Sequence, residues 1–207
     1  MGHQAKRWNP KMGKFLYGVK EGVSVFDLAK TKEALEEALD VLKKAKKEGK
    51  VILLIGTKKQ AKEKVEEVAK AAGMPYIVER YLGGSLSNFD QIQRSIKKIN
   101  DLKAQFAAGE YGDYTKKEKL LLSRKIVKME VIYGGIMNMT KLPDMLFVVD
   151  THKEIGAVKE AVRLKIPVVG LTDSNADPDM VDYVIPMNDD AASAIEYVLE
   201  LVKEALK

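Results

Sequence analysis

The order of segments predicts an α/β fold, doubly wound around a mainly parallel five-stranded sheet, with a pair of helices inserted into it. Three observations carry this expectation. Short β-branched apolar runs alternate with stretches of helical periodicity up to Arg80 and again after Gly135, the signature of strands separated by crossover helices. The run Val51-Ile52-Leu53-Leu54-Ile55 is apolar without interruption, as a strand covered on both faces must be. Between the glycine pairs Gly83-Gly84 and Gly134-Gly135 lies a long charged stretch with helical periodicity and no strand pattern. The glycines are either plain loop hinges or the junction between a folded core and a protruding arm, with Arg80 and Tyr81 at its root.

Taken in order, Val23-Ser24-Val25-Phe26-Asp27-Leu28 is the expected first strand. A helix begins at Thr31 with an apolar stripe of Leu35, Ala38, Leu39, Leu42 and Ala45, and stops at Gly49. Val51 to Ile55 is the second strand. Gly56-Thr57-Lys58-Lys59 then turns into a helix carrying Ala61, Val65, Val68 and Ala72, which Gly73-Met74-Pro75 ends before a short third strand at Tyr76-Ile77-Val78. In the insertion, Phe89, Ile92, Ile96, Ile99, Leu102 and Phe106 are spaced close to a heptad seam. Eighteen residues rising 1.5 Å each make an arm of roughly 27 Å. Gly109 to Asp113 form its turn, Thr115 and Glu118 match a capping box, and Leu122, Ile126, Met129 and Tyr133 form the returning seam. Each helix has only a narrow apolar stripe, so the two stripes are expected to bury one another in an antiparallel coiled-coil hairpin. Met145 to Asp150 and Pro167 to Asp173 are the fourth and fifth strands, with a helix from Ile155 to Leu164 between them. Tyr183 to Pro186 is a short extended segment, and Asn188 or Asp189 caps a last helix. Residues 1–87 and 136–207 thus form the core with an N-terminal arm, and 88–135 the inserted hairpin.

The net charge of +5 is unevenly distributed. Residues 1–20 hold Lys6, Arg7, Lys11, Lys14 and Lys20 and no acid, and residues 88–128 hold ten basic and five acidic side chains, so each carries +5 and the remainder −5. A basic tail and a basic arm on an acidic body predict a polyanionic partner met at defined places. In the tail, Trp8, Phe15 and Tyr17 alternate with cations, a mixture suited to stacking on unpaired bases while phosphates are neutralised. Trp8 could equally be a buried anchor. No apolar run reaches the roughly 18 residues of a membrane span. The basic N-terminus lacks the apolar region of a signal peptide, and no cysteine is present to build a disulfide or a thiolate metal site. A cytoplasmic protein is expected.

Taken together, several stretches resemble the bacterial-type family of small-subunit ribosomal protein two. They are Gly2-His3-Gln4 with Arg7-Trp8-Asn9-Pro10-Lys11-Met12, Gly56 to Ala61, Arg80-Tyr81-Leu82-Gly83-Gly84 through Asn88-Phe89, and Leu142-Pro143-Asp144. Ile166-Pro167-Val168-Val169, Thr172 to Asp179, and Asp182 to Pro186 with Asn188 to Ala191 continue the series in family order. The resemblance implies a flavodoxin-like core with a projecting coiled coil, and a structural, non-enzymatic role in the ribosome among neighbouring small-subunit proteins and their ribosomal RNA. Tyr81 stands where the family usually has Trp and Met187 where it has Gly. The family's apolar lead-in and C-terminal extension have no counterpart here, so a trimmed or minimal member is expected.

Charge and resemblance together assign RNA contacts to Gln4, Lys6, Arg7, Trp8 and Lys11 in the tail, to Lys58 and Lys59 at a helix start, and to Arg80, Tyr81, Gly83 and Gly84 at the arm's root. On the arm they fall to Arg94, Lys97, Lys98, Lys116 and Lys117. An enzyme is the rival reading. The turn at Gly56 opens a helix where a phosphate could sit, but neither dinucleotide nor P-loop glycine spacing occurs, and no small-molecule substrate or cofactor is expected. His152 reads as a surface loop residue. The acidic stretch Asp173 to Asp182 is accounted for by Asx-turns and caps. Alternatively, His3 folds back on Asp173 or Asp177 to hold a hard cation.

Overall fold

The computed structural model describes residues 2–112 and 114–207, so Asp113, assigned above to the hairpin turn, lies outside the described residues. Seven strands and six α-helices follow in chain order among these residues. They are β1 (Leu16–Lys20), β2 (Val23–Phe26), α1 (Leu28–Lys47), β3 (Ile52–Ile55), α2 (Lys62–Ala72), β4 (Tyr76–Ile77), α3 (Phe89–Ala107), α4 (Lys116–Tyr133), β5 (Met145–Val149), α5 (Ile155–Leu164), β6 (Val168–Thr172), β7 (Tyr183–Pro186) and α6 (Ala192–Ala205). The main sheet has the order β4-β3-β5-β6-β7 and every neighbouring pair is parallel.

Alternate residues of each central strand feed two separate cores, as the two-residue period of a strand requires. Ile52 and Leu54 of β3, with Phe147 and Val149 of β5, pack under α1, α2 and α6. Leu53 and Ile55, with Leu146 and Val148, pack on the opposite face under α5 and the start of α3. A sheet covered on both faces in this way is doubly wound. Asp27 caps α1 by accepting from the Ala29 amide at 3.1 Å. Gly73, at φ 67°, closes α2 in the left-handed conformation that glycine adopts without strain. The Thr115–Glu118 capping box opens α4, its side chains and backbone amides bonded reciprocally.

Two expectations need correction. Val23 to Leu28 does not enter the main sheet. Its strand part, β2, pairs antiparallel with β1 in a separate two-stranded ribbon, closed by Glu21 and Gly22 at φ 52° and 77°, the positive values a two-residue hairpin turn needs. Asp27 and Leu28, read as strand, are the cap and first turn of α1. The fifth strand of the sheet is instead β7, which pairs with β6 from Val169↔Tyr183 to Thr172↔Pro186.

The hairpin seam is also corrected at its root. Phe89, Ile92 and Ile96 do not face α4 alone; they belong to the core beneath the sheet, with Leu86, Ile136 and Met139. Farther out, burial fades: Ile99 and Ile126 are buried, Leu102 is only partly covered, and Phe106 is 39% exposed. A Lys103–Glu130 ion pair joins α3 to α4. At the returning root, a Cβ on Gly135 would lie 2.2 Å from the Tyr76 carbonyl oxygen, so only glycine allows the chain leaving α4 to pass this close to β4.

Candidate nucleic-acid interface and the crevice beside it

The strand order reverses between β3 and β5, and the crevice beyond the carboxyl ends of such strands is where doubly wound proteins hold ligands. Here the chain fills it from within. Lys58, just after β3, places its Nζ 2.6 Å from Asp189 Oδ1, 2.6 Å from Asp190 Oδ1 and 3.2 Å from Asp150 Oδ2. Its side chain is 13% exposed. Burial alone would lower the Lys58 pKa, but the bonds to Asp189 and Asp190 outweigh it and hold the ammonium above the usual lysine range. Burial, reinforced by the Asp150 charge, pushes Asp189 up to about 7 despite the pull of Lys58. Asp190 is held low by its bond to the same lysine. Lys58, expected to meet RNA, is therefore engaged by carboxylates of its own chain.

The N-terminal segment lies over this crevice. Gly2 donates to the Ser24 carbonyl at 2.7 Å, the His3 amide to Ser174 Oγ at 3.0 Å, and the Asn9 amide to the Ser174 carbonyl at 2.7 Å. His3 Nδ1 sits 3.1 Å from the fully buried Asp173 carboxylate and Nε2 3.6 Å from Asp190. Its ring and the carboxylates of Asp189 and Asp190 are close enough to share one cation, although Lys58 already contacts both acids. Asp177 is not part of this group. It accepts Lys11 Nζ at 2.9 Å, and Asp179 does so at 2.8 Å. Lys11, expected at the RNA, thus ties the tail to the body. Met12 is the buried anchor of the tail. Trp8 is 42% exposed and is not that anchor. Gln4 pairs with Val23 through a backbone bridge and is itself exposed. Lys6 and Arg7 are exposed and form no ion pair among the described residues.

At the arm's root the glycine loop is closed on an internal anion. The Glu160 carboxylate accepts from the amides of Gly84 at 2.5 Å and of Leu86 and Ser87 at 3.0 Å. Burial would raise its pKa, but these three amide donors hold it below the ordinary range. Tyr81 is turned inward, where burial and the Glu160 charge drive its hydroxyl far up. Gly84 has φ 89° and is needed for this turn, whereas Gly83 faces open space. The amide of Gly84 and the ring of Tyr81, both expected at the RNA, thus also serve the scaffold. Arg80 remains exposed and forms no ion pair among the described residues. Asp144 accepts from the Val51 amide at 2.8 Å and from Lys141 at 2.9 Å.

On the helices, Arg94, Lys97 and Lys98 share one exposed face of α3, and Lys116 and Lys117 are exposed in the first turn of α4, where the helix's free amides add positive potential. Lys59 is exposed beside the buried Lys58. None of these six forms an ion pair among the described residues. Sequence reasoning passes over Glu160, Asp189 and Asp190 as organisers, and over the outward Arg124 and Lys128 of α4. Nothing in the pattern around Glu160 marks it, but the Asn188-Asp189-Asp190 run is a readable signal.

These features define a class: a doubly wound scaffold whose crevice is closed by its own lysine and carboxylates, with cations on its appendages that form no ion pair among the described residues. The comparison with known families is specific. Residues 1–207 match Ribosomal protein S2, and the chain belongs to that family. It is 47% identical over 205 residues to a small ribosomal subunit protein uS2 of a Nitratiruptor species, covering 99% of this chain and 77% of the relative. The uS2 protein of Chlorobaculum tepidum is 48% identical over 205 residues, covering 99% and 82%. That of Amoebophilus asiaticus is 46% identical over 206 residues, covering 100% and 66%.

Proposed function

We propose that this protein is a structural constituent of the small ribosomal subunit in the cytoplasm. It binds ribosomal RNA through its appendages, lies among neighbouring small-subunit proteins and performs no chemistry on a small molecule. The observation that supports this most is the contrast in cation placement. Lys58 and Lys11 are neutralised internally, whereas Lys6, Arg7, Lys59, Arg80, Arg94, Lys97, Lys98, Lys116 and Lys117 are exposed without an ion-pair partner among the described residues. Exposed cations without an internal counter-ion suit a phosphate backbone. Gln4 and the exposed Trp8 ring add a polar and a stacking contact beside Lys6 and Arg7. The hairpin, residues 88–135 with its root shared by the core, extends this surface away from the sheet.

The deciding experiment is sedimentation of the tagged full chain with small subunits at moderate salt, beside the variant carrying Lys6→Ala, Arg7→Ala and Arg80→Ala. Wild type should co-sediment, and the variant should bind more weakly with an unchanged melting temperature. A wild-type chain that stays at the top of the gradient would refute the proposal.

A further inference from the structure

A second hollow lies at the opposite end of the sheet from the crevice, beside the amino ends of β3, β4 and β5. It encloses about 470 Å³, within the roughly 300–1,000 Å³ of pockets that hold small organic groups. Met74, Pro75 and Met139 give it apolar walls. The half-buried Tyr76 adds an aromatic ring, held by its hydroxyl's bond to Glu66 at 3.0 Å. Asn138 and Thr140 line it with exposed side chains that form no hydrogen bond among the described residues. Lys70 and Lys141 line it too, each in an exposed ion pair, with Glu66 at 2.7 Å and Asp144 at 2.9 Å. Such exposed pairs are weak and give way readily to a phosphate. The carbonyl end of α2, which would repel an anion, is occupied: the Ala72 oxygen accepts Lys46 Nζ at 2.6 Å.

Gly134, in the wall of this pocket, has no internal reason to be glycine. Unlike Gly135 it makes no close approach, since a Cβ there would meet nothing within 4 Å. Its backbone, at φ −52° and ψ −43°, is right-handed helical, where glycine is among the least stable choices. Neither strain nor crowding inside the chain calls for it. What a side chain at this position would occupy is the pocket itself, and glycine is the residue that lets a ligand come close to backbone.

We infer that this pocket receives one unstacked base of ribosomal RNA, an inference that rests on the ribosomal reading above. A base is flat and aromatic, which suits thioethers and a tyrosine ring. Its edge carries the adjacent donor and acceptor that an asparagine amide matches, and its flanking phosphates suit the two lysines. A leucine or phenylalanine of a neighbouring protein would cover the apolar walls but offer nothing to Asn138, Thr140 or the lysines.

The test uses small subunits purified with the full chain as wild type, Gly134→Ala or Gly134→Phe. The chain has no cysteine, so Thr140→Cys carries a single tethered iron chelate whose radicals cut whatever lies at the mouth. Cuts should centre on an unpaired nucleotide of the RNA. Dimethyl sulfate and carbodiimide, which modify free base edges, should find that nucleotide protected with wild type and with Gly134→Ala. With Gly134→Phe its reactivity should rise about tenfold, because the ring fills the space. If the Phe chain does not enter subunits, Asn138→Ala decides in its place, with an expected rise of about threefold for a lost hydrogen bond. Cuts in paired RNA or in a protein alone, no cuts at all, or reactivity that the deciding variant leaves unchanged overturns the inference. Absence of the wild-type chain from subunits overturns the ribosomal reading and this inference with it.

Discussion

Lys58 and Lys59 are adjacent in the chain and opposite in circumstance. Lys58 is enclosed by Asp150, Asp189 and Asp190; Lys59 stands in solvent with no ion pair among the described residues. The same contrast sets the crevice against the exposed cations Lys6, Arg7, Arg94, Lys97 and Lys98 of the tail and α3. Where the sheet's carboxyl ends converge, charge is gathered and cancelled, because a buried ion without a counter-ion is very costly. These exposed cations stay hydrated and cost little until an anion displaces the water. Residue type therefore says little about role here, and the supporting element says much.

The contrast can be tested most severely at the hairpin, which belongs to both regions. Replacing residues 90–132 with a flexible linker removes Ile92 and Ile96 from beneath the sheet. With losses of about 2–5 kcal/mol for each large core side chain, cooperative thermal unfolding should disappear. Replacing only 101–127 keeps both isoleucines and should preserve a sharp transition. If both shortened chains melt cooperatively, the root is not core.

Next in size is Lys58→Met. It leaves three carboxylates facing one another and should lower unfolding free energy by about 3–5 kcal/mol in urea titrations. Lys59→Ala should stay within about 0.5 kcal/mol of wild type. Equal effects would erase the distinction.

The triple change Arg94→Ala, Lys97→Ala, Lys98→Ala should leave the melting curve in place. It should flatten the dependence of log K on log salt by about 2–3, at roughly 0.7–0.9 for each phosphate no longer neutralised. An unchanged slope in binding to ribosomal RNA fragments would remove α3 from the interface.

The smallest effect concerns Asp189. Its carboxyl titrates at about 7 when folded against an ordinary 3.8, so between these values the folded chain holds a proton that the unfolded chain has released. Stability from this group is complete below about pH 4 and declines as pH rises toward 7. Asp189→Asn should flatten that decline in melting temperatures taken from about pH 4 to 8, and a decline identical to wild type would exclude Asp189 as its source.

Much of the core can be read from the chain, for physical reasons that also explain the errors. β3 and β5 announce themselves because burial on both faces demands unbroken apolar runs. β1 is hidden because four of its five residues are exposed, which leaves Leu-Tyr-Gly-Val-Lys without alternation. β2 falls into the wrong sheet on sequence alone because four residues of β pattern do not name their partner. The α3 stripe has a clear period but an ambiguous target, since a helix packed on a sheet and one packed on a helix need the same spacing. Among the candidate contacts, Lys6, Arg7 and Arg80 are exposed, but the fates of Lys58, Lys11 and Asp177 depend on carboxylates and amines far away in the chain. Lys11 and Asp177 are 166 residues apart, a distance that local pattern does not span.

The clasp of Glu160 on three amides has a mechanical consequence. The helix α3 has 19 residues and is about 28 Å long, so a tilt of about 10° at its base would swing its far end by about 5 Å. That displacement exceeds the reach of a hydrogen bond. Glu160 on α5 grips the loop where this lever begins, and Gly135 lets the returning chain rest against β4 at the same pivot. A carboxylate that forms no ion pair among the described residues thus aims the cations of the hairpin, and its loss would be felt at the tip as misplaced charge.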